Sequence, residues 1–246
     1  MSAASSEVSR LLRQRSAVQE VVIVWSLAFG SLLIAFLAFG MSSVTKLVAT
    51  AGFLYLPLWA MRARGEDFRD YGVTFSRWRE DLRLFLGVAL VLGPLFFLAF
   101  WGFANLLPHL PGSLAQHLSP LRGATPHFVP RLPPDFGEWV IDQTLVVALP
   151  EEFFYRGYLQ ARLRDAWPRG KVLFGARLGP AFWVTALLFA LGHLAIFQTW
   201  RLAVFFPALL FGWMRERTGS ILGATLLHAS ANLFVRFLET SFYGGP

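Results

Sequence analysis

The chain has 246 residues, of which 55% are hydrophobic, 16% aromatic and only 15% charged, with a mean hydropathy of +0.52 and a formal net charge of +7. A soluble globule would carry roughly a quarter charged residues, so this composition excludes one and points to an integral membrane protein in contact with the lipid bilayer. The absence of cysteine excludes disulfides and thiolate metal ligands and leaves the redox compartment open.

A basic balance can signal nucleic acid, but here Lys and Arg punctuate apolar runs, so no nucleic-acid partner is expected. The first twenty residues are polar and basic. The apolar run after them is too long for a signal-peptide core and lacks a small-residue cleavage site, so it reads as a retained anchor. Apolar runs then cover 21–41, 44–61, 84–107, 139–160, 178–197, 202–214 and 219–238. The predicted fold is all-α, a polytopic transmembrane helical bundle of about seven spans, with six to eight as the range. Its organisation is a basic segment over 1–20, N-terminal spans over 21–107, a Pro-rich external loop over 108–138 and a chemistry-bearing helical core over 139–238. With a cytoplasmic N-terminus most of the Arg and Lys residues fall on the cytoplasmic side, against Lys46, Arg122, Arg131, Arg201 and Arg236 on the other, which is the positive-inside pattern. The run 202–214 is the weakest, because thirteen residues rise only about 20 Å and include Pro207; a re-entrant path there would invert the last helix. Residues 62–83 read as a solvated interfacial loop, and the prolines from Pro108 to Pro134 as a long irregular connector or lid. No internal repeat of the kind that builds many transporters is visible.

The fourth run, WVIDQTLVVALPEEFFYRGYLQARL from Trp139, carries Glu151, Glu152 and Arg156. Ionisable groups inside spanning helices are costly and mark a reaction centre or a transport path by default. Pro150 has no amide hydrogen for the carbonyl of Val146, so the helix is expected to bend and to open a polar group just before the acids. Glu152 and Arg156 are four apart and pair along one face, leaving Glu151 as the free acid. The bland alternative is an ion pair that only helps helices associate.

Two further runs carry FALGH, Phe189 to His193, and HASAN, His228 to Asn232. The spacing of four puts each pair on one helix face. Taken singly, an intramembrane His is as readily a hydrogen-bonded structural residue as a functional one. The rise per residue, however, sets Glu151, His193, His228 and Asn232 in one slab near mid-membrane, with Glu151 about 12 Å from the cytoplasmic face. Gly219 and Gly223 form a GxxxG step that predicts close packing of the last helix.

One carboxylate, two imidazoles and a carboxamide at one depth suit hydrolysis: a carboxylate takes a proton from water, while an imidazole and an amide donate to the oxyanion. The sequence has no HExxH, no GxSxG and no GxGD-type aspartate pair. EEFFYR from Glu151, FALGH ending at His193 and HASAN from His228 resemble the EExxxR, FxxxH and HxxxN motifs of the CAAX-protease and bacteriocin-processing family, over roughly residues 139–238. The resemblance implies an intramembrane endopeptidase of the type II CAAX kind. In it Glu151 is the catalytic base with His193 beside it, His228 and Asn232 form the oxyanion site, and Glu152, Arg156 and Phe189 support them. Metal-free catalysis is expected, since a metal held by Glu151, His193 and His228 would leave no separate base; zinc on those three residues is the alternative.

The expected partner is a membrane-embedded or lipid-anchored protein or peptide substrate. Family members in bacteria process pheromones, bacteriocin leaders and C-terminal sorting tails. Twenty arginines against two lysines suggest a high-GC bacterial genome and an inner-membrane location, which favours a sorting-type protease that trims a C-terminal anchor. Two other classes stay open: a proton- or cation-coupled transporter using Glu151, His193 and His228, and a non-catalytic immunity or scaffold protein. The sequence does not fix the oligomeric state.

Overall fold

The computed structural model describes residues 3–118 and 126–244, with side chains from 16–115 and 126–244. Among the described residues three helical stretches are long and apolar enough to cross a membrane: Ser16–Phe39, Ser43–Arg64 and Trp78–His109. The first belongs to α1 (Ala3–Phe39), which runs without a break from the polar N-terminal residues into the apolar run. The second is α2 (Ser43–Arg64), capped by Ser42 at its start and by Gly65 in the left-handed conformation at its end. α3 (Trp78–Leu106) opens the third and leaves Leu86, Leu90, Val91, Leu95 and Leu98 exposed, as a helix bathed in lipid should. A shorter apolar stretch covers Pro180–Ile196.

The centre of the bundle is a continuous helical rod over 136–166 that changes pitch along its length. α5 (Phe136–Ile141) passes into a π turn (Asp142–Ala148), α6 (Leu149–Glu152), a second π turn (Phe153–Leu159) and α7 (Gln160–Ala166). Every residue of the second π turn is buried. Pro150 causes the first irregularity by withholding an amide hydrogen, and the helix widens rather than breaks. The hydroxyl of Thr50 in α2 lies 2.9 Å from the carbonyl of Val146, the group that Pro150 leaves without its α-helical donor. It lies 2.9 Å from the Lys46 carbonyl as well, so one proton serves two acceptors. Thr50→Val keeps the shape and removes that donor. The expected loss is about 1 kcal/mol, read as a lower unfolding midpoint in detergent.

Around the rod stand α8 (Pro180–Gly192), α9 (Phe205–Thr218) and α10 (Leu222–Tyr243). α9 has 14 residues, a rise of about 21 Å, so alone it is shorter than the ~30 Å hydrocarbon core. α3 packs on α10, α8 on α9, and α1 on both α2 and the end of the rod.

Several expectations are corrected. The chain is not purely all-α: β1 (Lys171–Leu173) and β2 (Ala176–Leu178) form an antiparallel hairpin, turning at Phe174 and Gly175, both with positive φ. The Pro-rich connector contains α4 (Gly112–Leu118), and its later part is tied to the end of α10, where the amides of His127 and Val129 donate to the carbonyls of Phe242 and Ser241. Pro120 and Arg122 lie outside the described residues. Gly219 is the left-handed cap of α9 and lies before α10 begins, so it makes no helical GxxxG face with Gly223. Gly223 alone gives close approach: a Cβ there would come 3.0 Å from Met214 and 3.2 Å from Asp81.

The loop after α2 is not merely a solvated face either. Asp67 and Asp70 cap a 3₁₀ turn, Phe68–Tyr71, and Tyr71 is buried with its hydroxyl on Glu66 and on Arg64. Arg64 also pairs with Glu20 of α1, which accepts from Tyr158 and Arg162 of the rod, so one polar knot ties four segments. Burial pushes the Glu66 carboxyl up, but the hydrogen bonds from Arg64 and Tyr71 outweigh it and hold the group below its ordinary value. A depressed folded-state pKa gives stability that is complete above the unfolded value and lost as pH falls through the folded one. The thermal unfolding midpoint should therefore fall on acidification through the carboxylate range, and Glu66→Gln should flatten this part of the profile.

Candidate active site

Glu152 is fully buried, and its Oε1 accepts from two sides. Arg156 Nη1 donates at 3.0 Å and His228 Nδ1 at 2.8 Å. The pairing of Glu152 with Arg156 was expected from their spacing; the bond to His228 was not. Arg156 is held on every side: its Nη2 donates to the Ala208 carbonyl at 3.2 Å, and its guanidinium lies 4.2 Å from the ring centre of Phe189 and 5.2 Å from that of Phe211. Phe211 also stacks on the His228 imidazole at 5.0 Å. The salt bridge is thus a platform that fixes one imidazole in position and rotation.

A carboxylate can only accept, so the proton shared with Glu152 sits on His228 Nδ1 and Nε2 is the free atom. Nε2 faces Glu151, whose Oε2 is 3.9 Å away and, though buried, has no hydrogen-bond partner. That separation exceeds a hydrogen bond and is the kind that a bridging molecule can fill.

His193 closes α8 and opens a 3₁₀ turn, His193–Ile196. Its Nδ1 lies 2.9 Å from the Phe189 carbonyl one turn back, which again puts the proton on Nδ1 and leaves Nε2 bare. The Phe189 ring is 4.9 Å from His193 and 6.0 Å from His228, so one side chain spaces both imidazoles and carries Arg156. Glu151 and His228 are close enough for their charges to act on His193. A Cβ on Gly192 would come 2.5 Å from the Tyr155 hydroxyl, so only glycine lets α8 approach the rod there.

Asn232 lies one turn beyond His228 on α10, and its amide donates to Gln143 Oε1 at 2.9 Å. Gln143 in turn donates to Asp142, which pairs with Lys46 at 2.8 Å. Gln143 and Glu152 are nine residues apart, about 180° around an ideal α-helix, yet both reach α10. The π turn between them underwinds the rod and brings them to one face. For that reason α-helical spacing hides Gln143, whereas Phe211 and Tyr155 carry no sequence signal beyond their apolar setting.

Glu151, His193 and His228 each keep a free donor atom, but among the described residues no three His, Asp or Glu side chains gather at a spacing that would hold a metal ion.

Fold and site together define a class: a helical membrane protein whose acids and imidazoles converge between helices rather than on a surface loop. Residues 136–234 match the family described as Type II CAAX prenyl endopeptidase Rce1-like, and this segment is a domain of that CAAX-protease and bacteriocin-processing family. The chain matches no curated protein and no solved structure.

Proposed function

We propose that the protein is an intramembrane endopeptidase that hydrolyses a peptide bond in a membrane-embedded or lipid-anchored substrate. The observation that carries this reading is the free carboxylate oxygen of Glu151 opposite the Nε2 of a His228 whose other nitrogen is fixed by Glu152. Glu151 takes a proton from water, and the resulting hydroxide adds to the scissile carbonyl. His228, aimed by its Nδ1–H bond to Glu152, meets the oxyanion with Nε2, which donates in the protonated form of the ring. Asn232 donates its second amide hydrogen, the first being spent on Gln143. His193 lies beside Glu151 with a bare Nε2, suited to relay the proton to the leaving amine. Water is activated by a carboxylate in this scheme, with no metal step.

The preferred substrate is a C-terminal anchor helix with a basic end, processed in a bacterial inner membrane; the Arg-rich composition supports that choice. The test is co-reconstitution of the purified protein with single-helix reporters bearing such tails, with mass spectrometry of the products and a parallel proton-flux measurement. Cleavage that persists in excess chelator is expected. Ion-dependent flux with no cleavage of any reporter would replace the protease with a transporter.

A further inference from the structure

Beyond Asn232 the same end of the bundle carries two guanidinium groups that the protein leaves underused. Arg201 lies in a 3₁₀ turn, Thr199–Val204, shortly after His193. Its Nε donates to Gln198 at 2.5 Å, and its guanidinium lies 5.1 Å from the Trp200 ring centre. Among the described residues Arg201 makes no ion pair, and its two terminal nitrogens donate to nothing. Its charge nevertheless acts on Glu151 and on Glu239, and His193 senses it in turn. Arg236, one turn past Asn232, lies 5.3 Å from the Trp139 ring centre. Its Nε is buried without a partner, and its Nη1 stands 3.9 Å from Glu239. Arg236 therefore holds Glu239 only loosely, and Arg201 holds no carboxylate among the described residues. Guanidinium forks match carboxylates in a bidentate geometry, and a partly buried cation with idle donors is costly unless an anion completes it.

We propose that Arg201, backed by Arg236, binds a carboxylate of the peptide substrate and so fixes where the chain lies across Glu151. The subsite deepens the endopeptidase reading and rests on it. Either the terminal α-carboxylate or an acidic side chain can supply this chemistry. Glu239 competes for the same cations, so removing its charge should strengthen the subsite.

The test measures binding to the full chain carrying Glu151→Gln, in detergent, with three radiolabelled probes: lauroyl-Ala-Val-Leu as the free acid, the same peptide as its amide, and lauroyl-Ala-Glu-Leu amide. The free acid or the Glu peptide should bind about tenfold tighter than the neutral amide, as one charge-assisted contact warrants, and whichever does so names the source of the carboxylate. Arg201→Gln should abolish that preference, Arg201→Lys should keep part of it, and Glu239→Gln should enlarge it. Equal binding of all three probes, or a preference that survives Arg201→Gln, overturns the proposal. The endopeptidase reading fails separately, when the unsubstituted protein cleaves no reporter, an outcome that leaves the carboxylate preference as it was.

Discussion

Glu151→Gln should abolish cleavage while the protein keeps its unfolding midpoint and its yield in the membrane. The general-base contribution sets the scale, a fall of about 10²–10⁴ in turnover. Stability should hold because Glu151 Oε2 makes no hydrogen bond and the amide is nearly isosteric, so no favourable contact is removed. The comparison with Glu152→Gln is what gives the experiment its force. Glu152 supports Arg156 and His228 at once, and its replacement should lower both stability and turnover. Two adjacent acids are thus separated by readout, one moving activity alone and the other moving both. Full turnover in Glu151→Gln would sink the glutamate mechanism.

The parts of this molecule legible in the sequence are those governed by lipid. Apolar runs at 21–41, 44–61 and 84–107 correspond to α1, α2 and α3, because a spanning helix must satisfy its backbone internally and face hydrocarbon with side chains. The Glu152–Arg156 pair and the irregularity at Pro150 were equally legible, since both follow from spacing within one helix. What escaped depends on geometry that spacing does not encode. The hairpin over 171–178 turns on Phe174 and Gly175, both at positive φ; this turn normally announces itself with Asn-Gly, and Phe masks it. Gln143 was hidden by the π turn that rotates it toward α10. The His228–Glu152 bond joins residues 76 apart, so only tertiary packing reveals it. Spacing along the helix assigns Glu152 one partner, and the second, His228, turns a structural ion pair into the support of an imidazole.

Arg156→Ala should be the most destabilising single substitution in the core, by about 3–5 kcal/mol, because it strands a buried carboxylate. Glu152 is fully buried and its Oε2 already lacks a partner, so the loss leaves His228 as its only hydrogen-bonding neighbour. Removing both members of the pair at once, as Glu152→Leu with Arg156→Met, takes the charges away together. That double variant should recover much of the stability lost by Arg156→Ala, since apolar groups of similar volume often replace a buried ion pair at little cost. Its turnover should stay low, because His228 Nδ1 then has no carboxylate to fix it and Nε2 loses its aim at Glu151. A double-mutant cycle in detergent, read by unfolding midpoint and by cleavage rate, separates the two roles. If the double variant regains stability and activity together, the pair is only a structural tie between the rod and α9; if stability returns without activity, the platform under His228 is part of the catalytic machinery.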